Sequence, residues 1–109
     1  MKSRLPERTI ILVQDPSTTP KWVFLTNHAH VLLSVAHDPE ARARDIADRV
    51  GITERAAQRI LSDLLAENYI AKTKIGRRNR YTVNRQGHLR HPAVRELEIG
   101  PLIDILGQR

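Results

Sequence analysis

The sequence predicts a mainly α-helical α+β domain, with a three-helix core followed by a small β-hairpin. Three observations predict it. Apolar residues recur at helical spacing in three stretches between residues 27 and 67. Those stretches are bounded by residues that stop helices, namely Asp38 with Pro39, Gly51 and Asn68. A basic stretch centred on Gly76 then adopts the alternation of a strand. A chain of 109 residues can bury one such core and is too short for a second.

Residues 1–21 read as an N-terminal arm. Thr9 to Val13 would suit a short strand, but Asp15, Pro16 and Pro20 break any longer element. Trp22, Phe24 and Leu25 follow as large apolar side chains expected to peg the core. The first helix is expected over 27–37, capped by Thr26 or Asn27, with a buried stripe of Ala29, Leu32, Leu33 and Ala36. Residues 41–43 read as a short extended connection. A second helix over 45–50 would bury Ile46, Ala47 and Val50, with Gly51 supplying the left-handed backbone that ends it.

The third helix, 53–67, is the clearest element. Thr53 is a good N-cap, Glu54 complements the helix dipole, and Ala57, Ile60, Leu61, Leu64 and Leu65 form an unbroken apolar stripe. Asn68 takes the terminating left-handed position. Strands are expected over 69–75 and 80–84 around the turn 76–79, with Tyr81 and Val83 on one face and Arg80, Thr82 and Asn84 on the other. Gln86 with Gly87, and His91 with Pro92, turn the chain again. Pro101 suits a first helical turn, so a short helix over 101–106 closes the sequence.

The chain carries 18 Lys and Arg against 12 Asp and Glu. The excess is not spread evenly. From Asn68 to Arg95 no acidic residue occurs, while Lys72, Lys74, Arg77, Arg78, Arg80, Arg85, Arg90 and Arg95 supply eight positive charges, leaving ten basic against twelve acidic residues elsewhere. Such a segment suits a polyanionic partner. The absence of cysteine excludes disulfides and thiolate metal sites. No apolar run approaches the ~20 residues of a membrane span, and the basic start lacks a signal-peptide core. A cytoplasmic protein without membrane contact is the expectation.

Two short helices joined through Gly51 and Ile52 form a helix-turn-helix pattern. The apolar stripe of the third helix leaves Arg55, Ala56, Arg59, Ser62 and Asp63 outward, with Gln58 on the flank. Arg can pair with guanine and Gln with adenine through bidentate hydrogen bonds in the major groove. The stretch from Ala43 to Ile70, joined to Gly76-Arg-Arg-Asn-Arg-Tyr81, resembles winged helix-turn-helix regulators of the MarR/ArsR type. More narrowly it resembles their short single-domain members, with the opening Phe24-Leu-Thr-Asn-His-Ala-His30 and the ending Leu89-Arg-His-Pro92.

That resemblance covers residues 22–92. It implies a three-helix core with a two- to three-stranded wing, a third helix in the major groove of double-stranded DNA, and a wing on phosphate or in the minor groove. By it, Thr53, Arg55, Gln58 and Arg59 match reading positions, and Arg77, Arg78 and Arg80 match the wing tip. Ser62 and Lys74 join them as candidate DNA contacts. Arg44 departs from the pattern, standing where such regulators often place a Ser or Thr cap.

A homodimer is expected, with the C-terminal segment 93–109 and the arm as candidate dimerisation surfaces. No cofactor is expected, nor any catalysis, since no nucleophile–base pair, phosphate loop or carboxylate pair has a recognisable context. Of the five histidines, His28, His30 and His91 are the metal candidates; the spacing of His28 and His30 sends them to different sides of a helix, so no metal site is expected. The rival readings are a protein-interaction module built on the same fold, and a sensor of a metal or small molecule whose effector the sequence does not name.

Overall fold

The computed structural model describes residues 20–107, so all of the 1–21 arm but its last two residues, with the Thr9 to Val13 strand, lies outside the described residues. Among the described residues, four helices and a two-stranded antiparallel hairpin make an α+β fold: α1 (Asn27–His37), α2 (Ala43–Val50), α3 (Glu54–Ala66), β1 (Ile70–Ile75), β2 (Arg78–Val83) and α4 (Ile99–Leu106). No helix among the described residues is long and apolar enough to cross a membrane.

Local chemistry sets the helix ends. Thr26 caps α1, its Oγ1 accepting the Ala29 N–H at 3.2 Å, and Thr53 caps α3 in the same way, accepting from Ala56 at 3.0 Å. Gly51 stops α2 in the left-handed region at φ 84°. Asn68, at φ 65°, follows the last turn of α3, where its N–H donates to the Leu65 carbonyl and the Tyr69 N–H to that of Leu64. This paired closure satisfies two carbonyls that the helix leaves open. α2 begins at Ala43, two residues ahead of the expected start, so residues 41–43 are not all extended. Its cap is Arg42, whose N–H reaches the Asp45 carboxylate at 3.3 Å. Arg44 therefore lies inside the helix and does not occupy a cap.

α1 is the centre of the molecule, in contact with α2, α3, β2 and α4. Being enclosed on several sides, it buries Val31, Leu32, Ser34 and Val35 instead of the single stripe expected. Leu33 and Ala36 are half-buried, and the Ser34 hydroxyl is satisfied by donating to the His30 carbonyl at 3.0 Å. Ile46 and Ala47 of α2, the expected stripe of α3 except half-buried Leu65, and Ile70 and Tyr81 of the hairpin complete the core. Ile99 and Ile103 of α4 enter the same core. The C-terminal segment is therefore integral to it, and its helix starts at Ile99, ahead of Pro101.

The strands pair from Ile70 opposite Val83 to Ile75 opposite Arg78, so the turn is only Gly76 and Arg77, shorter than the four residues expected. Gly76 has φ 62° and Arg77 has no positive φ, the arrangement of a type II′ turn. Among the described residues the hairpin gains no third strand. One bond from the Tyr81 N–H to the Pro39 carbonyl, at 2.8 Å, ties β2 to the α1–α2 loop.

Trp22 and Phe24 are not core pegs. They are 71% and 91% exposed, and they touch each other edge to face with centroids 5.3 Å apart. They precede α1 in irregular chain, which gives them no helix face with which to turn inward.

Candidate functional site

α3 presents Arg55, Gln58, Arg59 and Ser62 to solvent, opposite its buried stripe. Thr53 is exposed too, although its hydroxyl is engaged as the cap. Gln58 reaches back to the Glu54 carboxylate at 3.4 Å, a contact weak enough for another partner to displace. Asp63 does not join this face. Its carboxylate lies 2.8 Å from His28 Nε2 and links α3 to α1.

The hairpin register divides the basic residues between two faces. Lys72 lies opposite Tyr81 and Lys74 opposite Asn79, on the face that sends Tyr81 into the core; Arg78 and Arg80 alternate with them and belong to the other face. Arg77 sits at the second turn position. On the outer face Glu40 gathers two arginines. The Arg78 guanidinium donates to the Glu40 backbone carbonyl, and that of Arg80 lies 3.6 Å from the Glu40 carboxylate. Both arginines therefore fold back along the hairpin toward the α1–α2 loop.

Between α3, the start of α2 and the hairpin runs an open cleft of about 430 Å³. Gln58 and Ser62 line it from the helix and Arg77 and Arg78 from the hairpin; Arg42 and Lys72 add two more cations, and Glu40 and Glu54 stand among them as the acidic members. The structure thus brings four of the nine expected residues together in one concavity. Thr53, Arg55 and Arg59 stay on the exposed helix, and Lys74 and Arg80 lie outside the cleft. Sequence alone does not single out Arg42 and Lys72. Lys72 belongs to the acid-free segment, but Arg42 becomes relevant only once the loop folds beside α3.

Two other charges of the basic segment are neutralised internally. Arg85 donates to Asp104 at 2.7 Å and Arg90 to Glu67 at 3.0 Å; in each case the hydrogen bond to the carboxylate, reinforced by its charge, raises the guanidinium pKa above its ordinary value. Lys72, Lys74, Arg77, Arg78 and Arg95 have no ion pair among the described residues. Apart from Arg95, the charge of this segment that no carboxylate pairs therefore lies on the hairpin.

The metal candidates stay apart in function. His28 is bonded to Asp63, and His91 Nδ1 accepts the Ala93 N–H at 3.1 Å. Among the described residues no group of three or more His, Asp or Glu side chains is placed to hold a metal ion. Comparison with family models and with curated proteins finds no match to the chain.

Proposed function

We propose that the protein is a sequence-specific binder of double-stranded DNA that regulates transcription, a winged helix-turn-helix of the MarR/ArsR type acting as a homodimer without catalysis. The observation that carries this reading is the cleft in which the exposed face of α3 and the basic hairpin meet, lined by Gln58, Ser62, Arg77 and Arg78. A helix with an exposed Arg and Gln face, flanked by a projecting basic ribbon, matches the two needs of duplex recognition. The helix reads base edges in the major groove, and the ribbon supplies the phosphate attraction that dominates affinity.

In this reading Arg55, Gln58 and Arg59 specify sequence. Arg77, Arg42 and Lys72 hold the backbone between helix and ribbon, and Arg78 and Arg80 exchange Glu40 for phosphate. A two-fold dimer would set the two α3 helices one turn of DNA apart, ~34 Å.

Selection of bound duplexes from a random pool tests the reading directly. Enrichment of a short palindrome is expected; recovery of unrelated sequences would defeat it. On the selected site, Arg77→Ala with Arg78→Ala should weaken binding to all sequences and reduce the salt slope by about 0.9 for each phosphate no longer neutralised. Gln58→Ala or Arg59→Ala should instead change the preferred bases, at ~1–3 kcal/mol for a bidentate contact.

A further inference from the structure

The exposed aromatic pair lies in the chain just ahead of α1, whose start borders an open apolar cleft. That cleft, about 620 Å³, lies between the start of α1, the end of α3 and the C-terminal segment. Leu32, Leu64, Leu89, Ile99 and Leu102 contribute its apolar lining, and Thr26 stands at the α1 side. Phe24 and Trp22 precede Thr26 by only two and four residues, yet they remain 91% and 71% exposed.

We infer that this surface is the self-association interface: Trp22 and Phe24 of one copy insert into the apolar cleft of a second copy, and reciprocally. The inference deepens the homodimer part of the proposed function and does not depend on its DNA part.

Three features select a second copy as the occupant. First, knob and socket adjoin in the chain, Phe24 preceding Thr26 of the cleft by two residues. In an isologous pair the same patch serves both copies, so a two-fold axis there would seat each copy's knob in the other's socket. Second, the area suffices. Each aromatic residue offers about 150–250 Å² for burial, so two mostly exposed ones per copy and an equal area of socket give roughly 1,200 Å² in all, the lower bound of a stable specific interface.

Third, the rim is polar and internally neutralised. His28 pairs with Asp63 and Arg90 with Glu67 beside the apolar floor. An apolar centre inside a polar rim, with aromatic anchors, is the composition of a protein interface. Among the described residues the rim offers no unpaired basic cluster for a polyanion.

The single tryptophan reports the event. On concentration of the full chain, its emission should shift to the blue as light scattering moves from monomer to dimer mass. Trp22→Ala with Phe24→Ala should raise the dimer dissociation constant by roughly a hundredfold or more, as the loss of an anchor pair does. Leu102→Glu, which charges the socket, should do the same. Mixing those two variants supplies the control for misfolding, because a mixed dimer retains one intact knob and one intact socket. Dimers should reappear in the mixture although neither variant dimerises alone.

A wild-type chain that stays monomeric at about 100 μM, weaker than the micromolar range of functional dimers, would remove the homodimer reading together with the inference. A wild-type dimer unaffected by the aromatic substitutions, or no dimer in the mixture, would overturn the inference alone. The salt dependence of DNA binding stands or falls separately from either.

Discussion

Gly100 is closely hemmed in by backbone from elsewhere in the chain. Its N–H donates to the Arg85 carbonyl at 2.9 Å, and a Cβ built on it would lie 2.9 Å from that same oxygen. A backbone oxygen cannot rotate away as a side chain does, so any larger residue must lever α4 off the end of the hairpin. Gly100→Ala should therefore destabilise the chain by ~1–3 kcal/mol, the cost of overpacking, despite alanine's better helix propensity. Chemical denaturation of the two proteins measures the difference, and an equal or more stable variant would refute the close approach. Gly51 differs: nothing lies near its absent Cβ, and its positive φ is what excludes other residues.

At this scale the sequence is legible wherever the cause is local. Thr53 as cap and Gly51 and Asn68 in the left-handed region follow from their own chemistry and that of one neighbouring turn. The positions that sequence misses depend on chain far away. Gly100 is constrained by Arg85, Asp63 by His28, and Trp22 and Phe24 by the lack of any element to carry them inward. Their side chains carry no record of that distant geometry.

At the scale of elements, the third helix is readable because its apolar positions share one side, which packs on α1, α2 and β1. α1 is less so because it touches several layers, and a single stripe cannot describe it. Basic alternation locates the hairpin but not the length of its turn. Gly76 can itself supply the positive φ of a two-residue turn, which places Arg78 inside the strand and opposite Ile75. The basic residues of the candidate site are consequently visible in the sequence, while their division between two faces is not.

Glu40 is the element-scale consequence. Its carboxylate competes with any external anion for Arg80, although the pair is half exposed and worth little on its own. Glu40→Gln keeps the backbone carbonyl that receives Arg78 and removes only the charge. If the proposed DNA role is right, this variant should bind duplex several-fold more tightly and steepen the salt slope by up to about 0.9, the increment of one additional phosphate contact. Fluorescence anisotropy over a salt series reads both quantities. An unchanged slope would show that Arg80 does not meet phosphate.

Over the whole molecule, α1 receives contacts from elements near and far in the chain. Its partners α2 and α3 follow closely in sequence, whereas β2 and α4 must return to it from far along the chain. α4 is held by its two buried isoleucines, by the close apposition at Gly100, and by the exposed ion pair between Asp104 and Arg85. The Arg85 hydrogen bond holds the Asp104 carboxyl below its usual pKa against the opposing effect of desolvation. A carboxyl with a lowered folded-state pKa contributes above its unfolded value, and the contribution disappears as pH falls through the folded value, here in the acid range below about pH 4. Asp104→Asn should therefore show a smaller drop in Tm between neutral and acid solution than the wild type. An identical drop would mean the ion pair does not respond to acid as described.

The attachment of α4 also sets the order in which the native molecule opens. Elements joined by few contacts and exposed polar links open in small excursions, well below the free energy of global unfolding. The amides of residues 99–106 should exchange with solvent deuterium ahead of those in α1 and α3, leaving the remaining helices closed. Each such excursion uncovers Ile99 and Ile103 together, so the last helix governs how often this chain shows solvent a fresh apolar surface while the rest of it stays native.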